Sequence, residues 1–140
     1  MSAPQPVTLE SLQHALANWF APWVQALNLE VQHAQDSEVT LLMPLSADIT
    51  RIGDVVCGQA LMAAADTAMV LALTQHLGAF RPMTTVQLNT SFLRPLSAQD
   101  AVGHAEVLRS GKSLAFGEIT ITGAQDGKCV TKASTTYALL

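Results

Sequence analysis

One stretch limits what this chain can fold into: Cys57 to Leu77, reading CGQALMAAADTAMVLALTQHL, an apolar run with a single acid, Asp66, in its middle. Ala and Leu dominate it, which favours helix. Gly78 follows directly, and glycine is the residue type that closes helices in the left-handed conformation. The apolar residues run nearly all the way round, the pattern of a helix buried on most sides. A carboxylate in such a setting is costly unless something holds it. Whatever fold forms has to wrap this helix and account for Asp66.

The flanks carry other periods. Residues 1–7 hold Pro4 and Pro6 and read as a flexible lead-in to a single domain over 8–140. Thr8 suits a helix N-cap, and Leu9, Leu12, Leu16, Trp19, Phe20 and Trp23 recur at helical spacing until Pro22 ends or kinks the helix. The two tryptophans are core or interface packing first, and an aromatic wall for a ligand second. From Asn28 the period falls to two: Leu29, Val31 and His33, a Gln35-Asp36-Ser37 turn, then Val39, Leu41 and Met43 read as a hairpin with His33 in the inward series. Pro44 to Val56 is a loop that closes through Arg51-Ile52-Gly53-Asp54.

Beyond the long helix the chain is strand-like. Thr84 to Leu93 alternates, with Val86, Leu88 and Phe92 near one face. Ala101–Arg109 and Ser113–Thr122 flank a Ser110-Gly111-Lys112 turn, and a Gly123–Gly127 turn leads to a last strand over Cys129–Ala138. About six antiparallel strands have one face to bury, and the long helix is the only large apolar element to bury it on. The expected class is therefore α+β: an antiparallel sheet wrapped around a central helix, with an extra N-terminal helix.

Composition narrows function. Net charge is -4 with no basic cluster, which argues against nucleic acid. Asp66 interrupts the longest apolar run, so no membrane span is expected, and the first residues lack the pattern of a signal peptide. Cys57, Cys129 and four histidines form no ligand spacing, so neither metal nor cofactor is expected, and a cytoplasmic setting follows by default. Hydrophobic residues at 49% against 13% charged exceed what a small monomer hides, which points to burial against another subunit.

Four segments, in this order and spacing, resemble the hotdog-fold acyl-CoA thioesterases, in particular the PaaI-like branch named for phenylacetate breakdown. They are Val56-Cys57-Gly58-Gln59 leading into Ala65-Asp66-Thr67-Ala68; Thr85-Val86-Gln87-Leu88-Asn89; Ser91-Phe92-Leu93-Arg94-Pro95; and Gly111-Lys112-Ser113-Leu114-Ala115-Phe116. The family usually carries His-Gly-Gly at the start of the central helix and an acid nine residues after that His. Asp66 keeps this spacing from Cys57, but Cys57 stands in the place of His, Gln59 in that of the second Gly, and Arg51 where Asn or Gln is common.

The resemblance implies an acyl-CoA substrate, with Asp66 as nucleophile or general base. Gly58, at a helix start where backbone N–H groups lack partners, is the candidate donor to the thioester oxygen. Its other reading is a glycine required by the loop-to-helix junction. Asp66 has an alternative as a structural acid satisfied by a local hydroxyl or a backbone N–H, for instance capping a broken helix. Gly58 and Asp66 are eight residues apart, roughly 12 Å along one helix. One carbonyl cannot reach both, but two antiparallel copies related by a two-fold axis bring Gly58 of one near Asp66 of the other. The family builds its sites at such an interface, so a homodimer, or a dimer of dimers, is expected. Thr85 matches a hydroxyl position that relatives contribute across the interface. Lys112 and Ser113 match positions that contact the CoA nucleotide. Arg94 and Arg109 are further phosphate candidates, and Arg51 is placed to hold the carbonyl or an acyl carboxylate, or to pair with Asp54. Cys57 as a nucleophile competes with Cys57 as a small packing residue. Two readings stand beside hydrolysis: a non-catalytic acyl-CoA-binding module, favoured by the altered Arg51, Cys57 and Gln59, and a hydratase, disfavoured because no histidine precedes His76 in the helix.

Overall fold

The computed structural model describes residues 6–140. Most of the expected lead-in therefore lies outside the described residues. Val7, its last residue, is partly buried and packs against the core.

Thr8 caps α1 (Leu9–Asn18) through a capping box: its hydroxyl accepts from the Ser11 N–H, and Ser11 accepts from the Thr8 N–H. Leu12, Ala15 and Leu16 are the face α1 buries. Pro22 neither ends nor kinks this helix, which closes at Trp19. It occupies the first turn of a separate four-residue helix, α2 (Pro22–Gln25), where its fixed φ and missing N–H cost nothing.

The hairpin forms as β1 (Glu30–Gln35) and β2 (Glu38–Met43). A bulge between Val31 and His33 shifts the alternation. Val31 and Ala34 become the partly buried pair, and His33, expected to face inward, is exposed. The loop that follows contains a 3-10 turn (Ala47–Ile49) and a small ribbon, β3 (Thr50–Arg51) with β4 (Val55–Val56). Its bend places Gly53 at φ 88°, a conformation open to glycine at little cost.

α3 (Gly58–Leu77) is one continuous helix, capped at its end by Gly78 in the left-handed region at φ 76°. After it come β5 (Met83–Phe92), β6 (Ala101–Ser110), β7 (Leu114–Gly123) and β8 (Cys129–Leu139). The main sheet has six strands in the order β1-β2-β6-β7-β8-β5, all neighbours antiparallel. Strand β5 leaves the helix for the far edge and pairs with β8, while β6 bridges back to β2. This is the expected sheet wrapped on a central helix, the hotdog architecture.

Alternate residues of the inner strands supply the concave face: Val39, Leu41 and Met43; Ala101, Ala105 and Val107; Ala115, Ile119 and Ile121; Ala133 and Tyr137 are all buried. Against them α3 buries Ala60, Leu61, Ala64, Ala65, Ala68, Met69, Leu71, Ala72 and Leu73. Each fully buried Leu or Met contributes about 1.5–3 kcal/mol. The alanines and Gly117 let helix and sheet approach closely; a Cβ at Gly117 would meet Met69 Sδ at 2.6 Å and the Glu106 carbonyl at 2.8 Å.

By length and mean hydropathy (1.2) α3 is long and apolar enough to cross a bilayer, but 67% of that stretch is buried in this fold, as in a core helix. One expectation does change. On β5, a bulge between Thr85 and Gln87 turns Val86 out of the inner series, leaving it 60% exposed, and Phe92 lies 48% exposed near the strand end.

Candidate active site

The helix is not covered on every side. Gln59, Met62, Ala63, Asp66 and Val70, spaced by three, one, three and four residues, form one stripe that stays partly open. Asp66 lies on it, half-buried, so its carboxylate reaches a cleft instead of the packed interior. That cleft, of about 500 Å³, is walled by Phe20, Trp23 and Val24 from the α1–α2 region, by the α3 stripe, and by Met83, Thr85, Leu88 and Tyr137 from the sheet. The tryptophans divide between their two expected roles. Trp19 packs on Phe80 with ring centroids 4.4 Å apart, and Trp23 lines the cleft.

Two hydroxyls hold Asp66. Thr85 Oγ1 donates to Asp66 Oδ1 at 2.9 Å. The Tyr137 hydroxyl is also bonded to Asp66 Oδ1, and it lies 2.9 Å from the Asp66 backbone carbonyl. Thr85 and Tyr137 are directly paired across β5 and β8, which brings both hydroxyls to one point above α3. Burial, followed by the facing Asp66 charge, pushes the Tyr137 phenol above its ordinary range. Because α3 is unbroken at Asp66, the acid is not a cap within a broken helix; it is satisfied by nearby hydroxyls, as its alternative reading as a structural acid also expects. Thr85 was expected to reach the acid across an interface. It reaches Asp66 of its own chain, because β5 runs alongside α3 and pairs with β8 at that level.

Tyr137 was missed in the sequence, where it was only one residue of a final strand. A signal was present: it is the single tyrosine of the chain, in an inward register, and a buried phenol needs a partner.

Gly58 lies in a second cleft, of about 480 Å³, lined by Arg51, Val55, Val56, Leu61, Phe92, Leu93, Arg94, Pro95 and Leu96. The helix start there has Cys57 as N-cap and no side-chain cap hydrogen bond, leaving backbone donors directed outward. No positive φ demands glycine at 58. Space bears on it only mildly: an added Cβ would lie 3.2 Å from Phe92 Cζ, a contact that the half-exposed ring relieves by shifting a few tenths of an ångström. The structure thus brings Arg51, Gly58 and Arg94 together in one cleft and Gln59, Asp66 and Thr85 in the other.

Arg51 does not pair with Asp54; its guanidinium donates to the Ile52 carbonyl at 3.1 Å. Cys57 is half-buried against the core, as a packing residue would be. Lys112 and Ser113 are exposed in the β6–β7 turn and line neither cleft; their carbonyls accept from Arg81 Nη2 and the Leu139 N–H. Arg109 is exposed on β6, away from both clefts.

Comparison with known proteins agrees with this fold. A protein of Thermoplasma acidophilum that carries a provisional esterase name is 25% identical over 115 residues, covering 82% of this chain and 86% of its own length. A thioesterase of Haemophilus influenzae superposes with a TM-score of 0.86 at 21% identity, covering 100% of this chain and 95% of that one. The Escherichia coli PaaI protein of the phenylacetic acid degradation operon superposes at 0.78 and 19% identity, over 95% and 96% of the two chains. These two structures share the fold. A family model described as the thioesterase superfamily matches residues 53–130, more than half of the sequence and both clefts' helix residues, so the chain belongs to the thioesterase superfamily, with thioester hydrolysis as its general activity.

Proposed function

We propose that the protein is an acyl-CoA thioesterase whose active site is completed between two copies of the chain. The observation that carries this reading is the division of labour along α3. An acid held by two hydroxyls opens into one cleft, and an uncapped helix start with Gly58 and two arginines opens into another. Roughly 12 Å of helix separates them. A thioester carbonyl polarised by the Gly58 N–H of one copy meets Asp66 of an antiparallel second copy.

The surface suits such pairing. The open stripe of α3 carries Met62, and the adjacent edge strand β5 exposes Val86 and Phe92, followed by Leu93. An uncovered edge strand with apolar side chains invites a partner strand.

In this site Asp66 acts on the carbonyl carbon in one of two ways. As a base it takes a proton from water, whose oxygen bonds to that carbon. As a nucleophile its own oxygen bonds there, and water then cleaves the resulting anhydride. In both routes the C–S bond breaks, the sulfur leaves as the CoA thiolate, and free acid is the other product. The negative charge that develops on the carbonyl oxygen falls at the Gly58 N–H. Arg51 and Arg94, in the same cleft, offer positive charge to the CoA phosphates or to an acyl carboxylate. Met62, Val70, Leu88 and Trp23 receive the acyl chain.

The test is thiol release over short, long and aromatic acyl-CoAs, for wild type and Asp66→Asn, with the oligomer checked by light scattering. Asp66→Asn is expected to abolish turnover without changing the oligomer. Undiminished hydrolysis by that variant removes the reading, and saturable CoA-ester binding by wild type without thiol release replaces it with a binding module.

A further inference from the structure

Asp66 has two carboxylate oxygens, and the structure treats them differently. Oδ1 receives both Thr85 Oγ1 and the Tyr137 hydroxyl. Among the described residues no donor engages Oδ2. The two donors come from paired positions on adjacent strands, so their spacing is fixed by the sheet. Tyr137 is 1% exposed and locked in the core, making it the more rigid of the two. A phenol has a single proton to donate. Here it is shared between Oδ1 and the Asp66 backbone carbonyl, which fixes the side-chain rotation as well as the position.

We propose that Tyr137 is a positioning residue for the reaction: with Thr85 it fastens Oδ1 of Asp66 and leaves Oδ2 as the oxygen that acts in the cleft. The proposal rests on the reading of Asp66 as the acting group. It assigns Tyr137 no contact with substrate. A carboxylate free to rotate about its last bond presents each oxygen in many directions; one clamped at Oδ1 presents Oδ2 in one. Burial also holds the phenol above its ordinary range, so it stays protonated, and therefore a donor, at neutral pH.

Tyr137→Phe removes the hydroxyl and keeps the ring that fills the core. The variant is expected to lose about 10- to 100-fold in kcat, the order lost when a reacting group is misplaced by an ångström, with KM unchanged because acyl and CoA contacts are untouched. A purely structural role would lower the melting temperature and leave kcat of the folded fraction intact. That result, with Asp66→Asn inactive, overturns the positioning role alone. An active Asp66→Asn variant removes the Asp66 reading and this proposal together. A second measurement does not need Tyr137→Phe to fold. Because the chain has one tyrosine, its ionisation is read directly by tyrosinate absorbance. Asp66→Asn removes the facing charge, so tyrosinate is expected to form at lower pH in that variant than in wild type. Identical alkaline curves in the two proteins would falsify the Tyr137–Asp66 contact and with it the proposal.

Discussion

Replacing Gly58 by proline tests the carbonyl donor with little disturbance of the fold. Position 58 is the first residue of α3, where proline is favoured because the N–H it lacks has no helical partner. The residue before a proline must be extended, and Cys57 already has φ -69° and ψ 147°. Rigidifying the unfolded chain contributes about 0.4–1 kcal/mol of stability. Against this, the new Cβ comes within 3.2 Å of the Phe92 ring, which is 48% exposed and has room to tilt. The net change in stability is therefore small. Gly58→Ala introduces the same Cβ and keeps the N–H, so the difference between the two variants isolates the donor. Loss of one such donor costs about 10²–10³ in kcat. Gly58→Pro should fall below Gly58→Ala by that factor in a thiol-release assay, with both melting near wild type. Mixing extends the test: refolding Gly58→Pro with Asp66→Asn chains yields heterodimers in which one of two shared sites is intact, restoring roughly one quarter of wild-type sites under random pairing. Equal rates for Gly58→Pro and Gly58→Ala would refute the N–H as donor, and no recovery on mixing would refute the shared site.

Trp23→Ala should raise KM for acyl-CoAs while barely moving the melting temperature, because Trp23 lines the Asp66 cleft yet is 60% exposed; steady-state kinetics beside thermal melts would check this, and an unchanged KM would take Trp23 out of the acyl site. Alkaline stability should report Tyr137. Its phenol is held above the ordinary value of 10.0, so the folded chain keeps a proton that the unfolded chain gives up. That stabilisation is fully present below pH 10 and is lost as pH rises beyond it, at no more than about 1.4 kcal/mol per pH unit. Urea midpoints measured across this range should fall more steeply for wild type than for Tyr137→Phe, and parallel curves would contradict the assignment.

Much of the fold was legible because its signals are local. Thr8 before Leu9, Gly78 after Leu77, and the Asp36, Gly111 and Gly127 turns each act within a few residues, and each lies where an element starts or stops. His33 and Val86 were misread for one shared reason. A bulge adds a residue to one strand, and its placement depends on the partner strand, which a pattern of period two does not contain. Pro22 has the same sequence signature whether it breaks one helix or begins another.

The site divides along the same line. Asp66 stood out as the lone acid of an apolar run and Gly58 as the start of the same helix, whose rise per residue converts their spacing into distance. Tyr137 did not, because 71 residues separate it from Asp66 and only the β5–β8 register brings them together. The first turn of α3 also looks different once its neighbours are known. Cys57 is half-buried against the core and lines neither cleft. Gln59 faces the same cleft as the acid, two turns before it on the same stripe. In the proposed site Gly58 would answer to two demands at once, space beside Phe92 and access to its N–H. Alanine violates the first and proline violates both, so packing and carbonyl binding separate only when the two variants are compared.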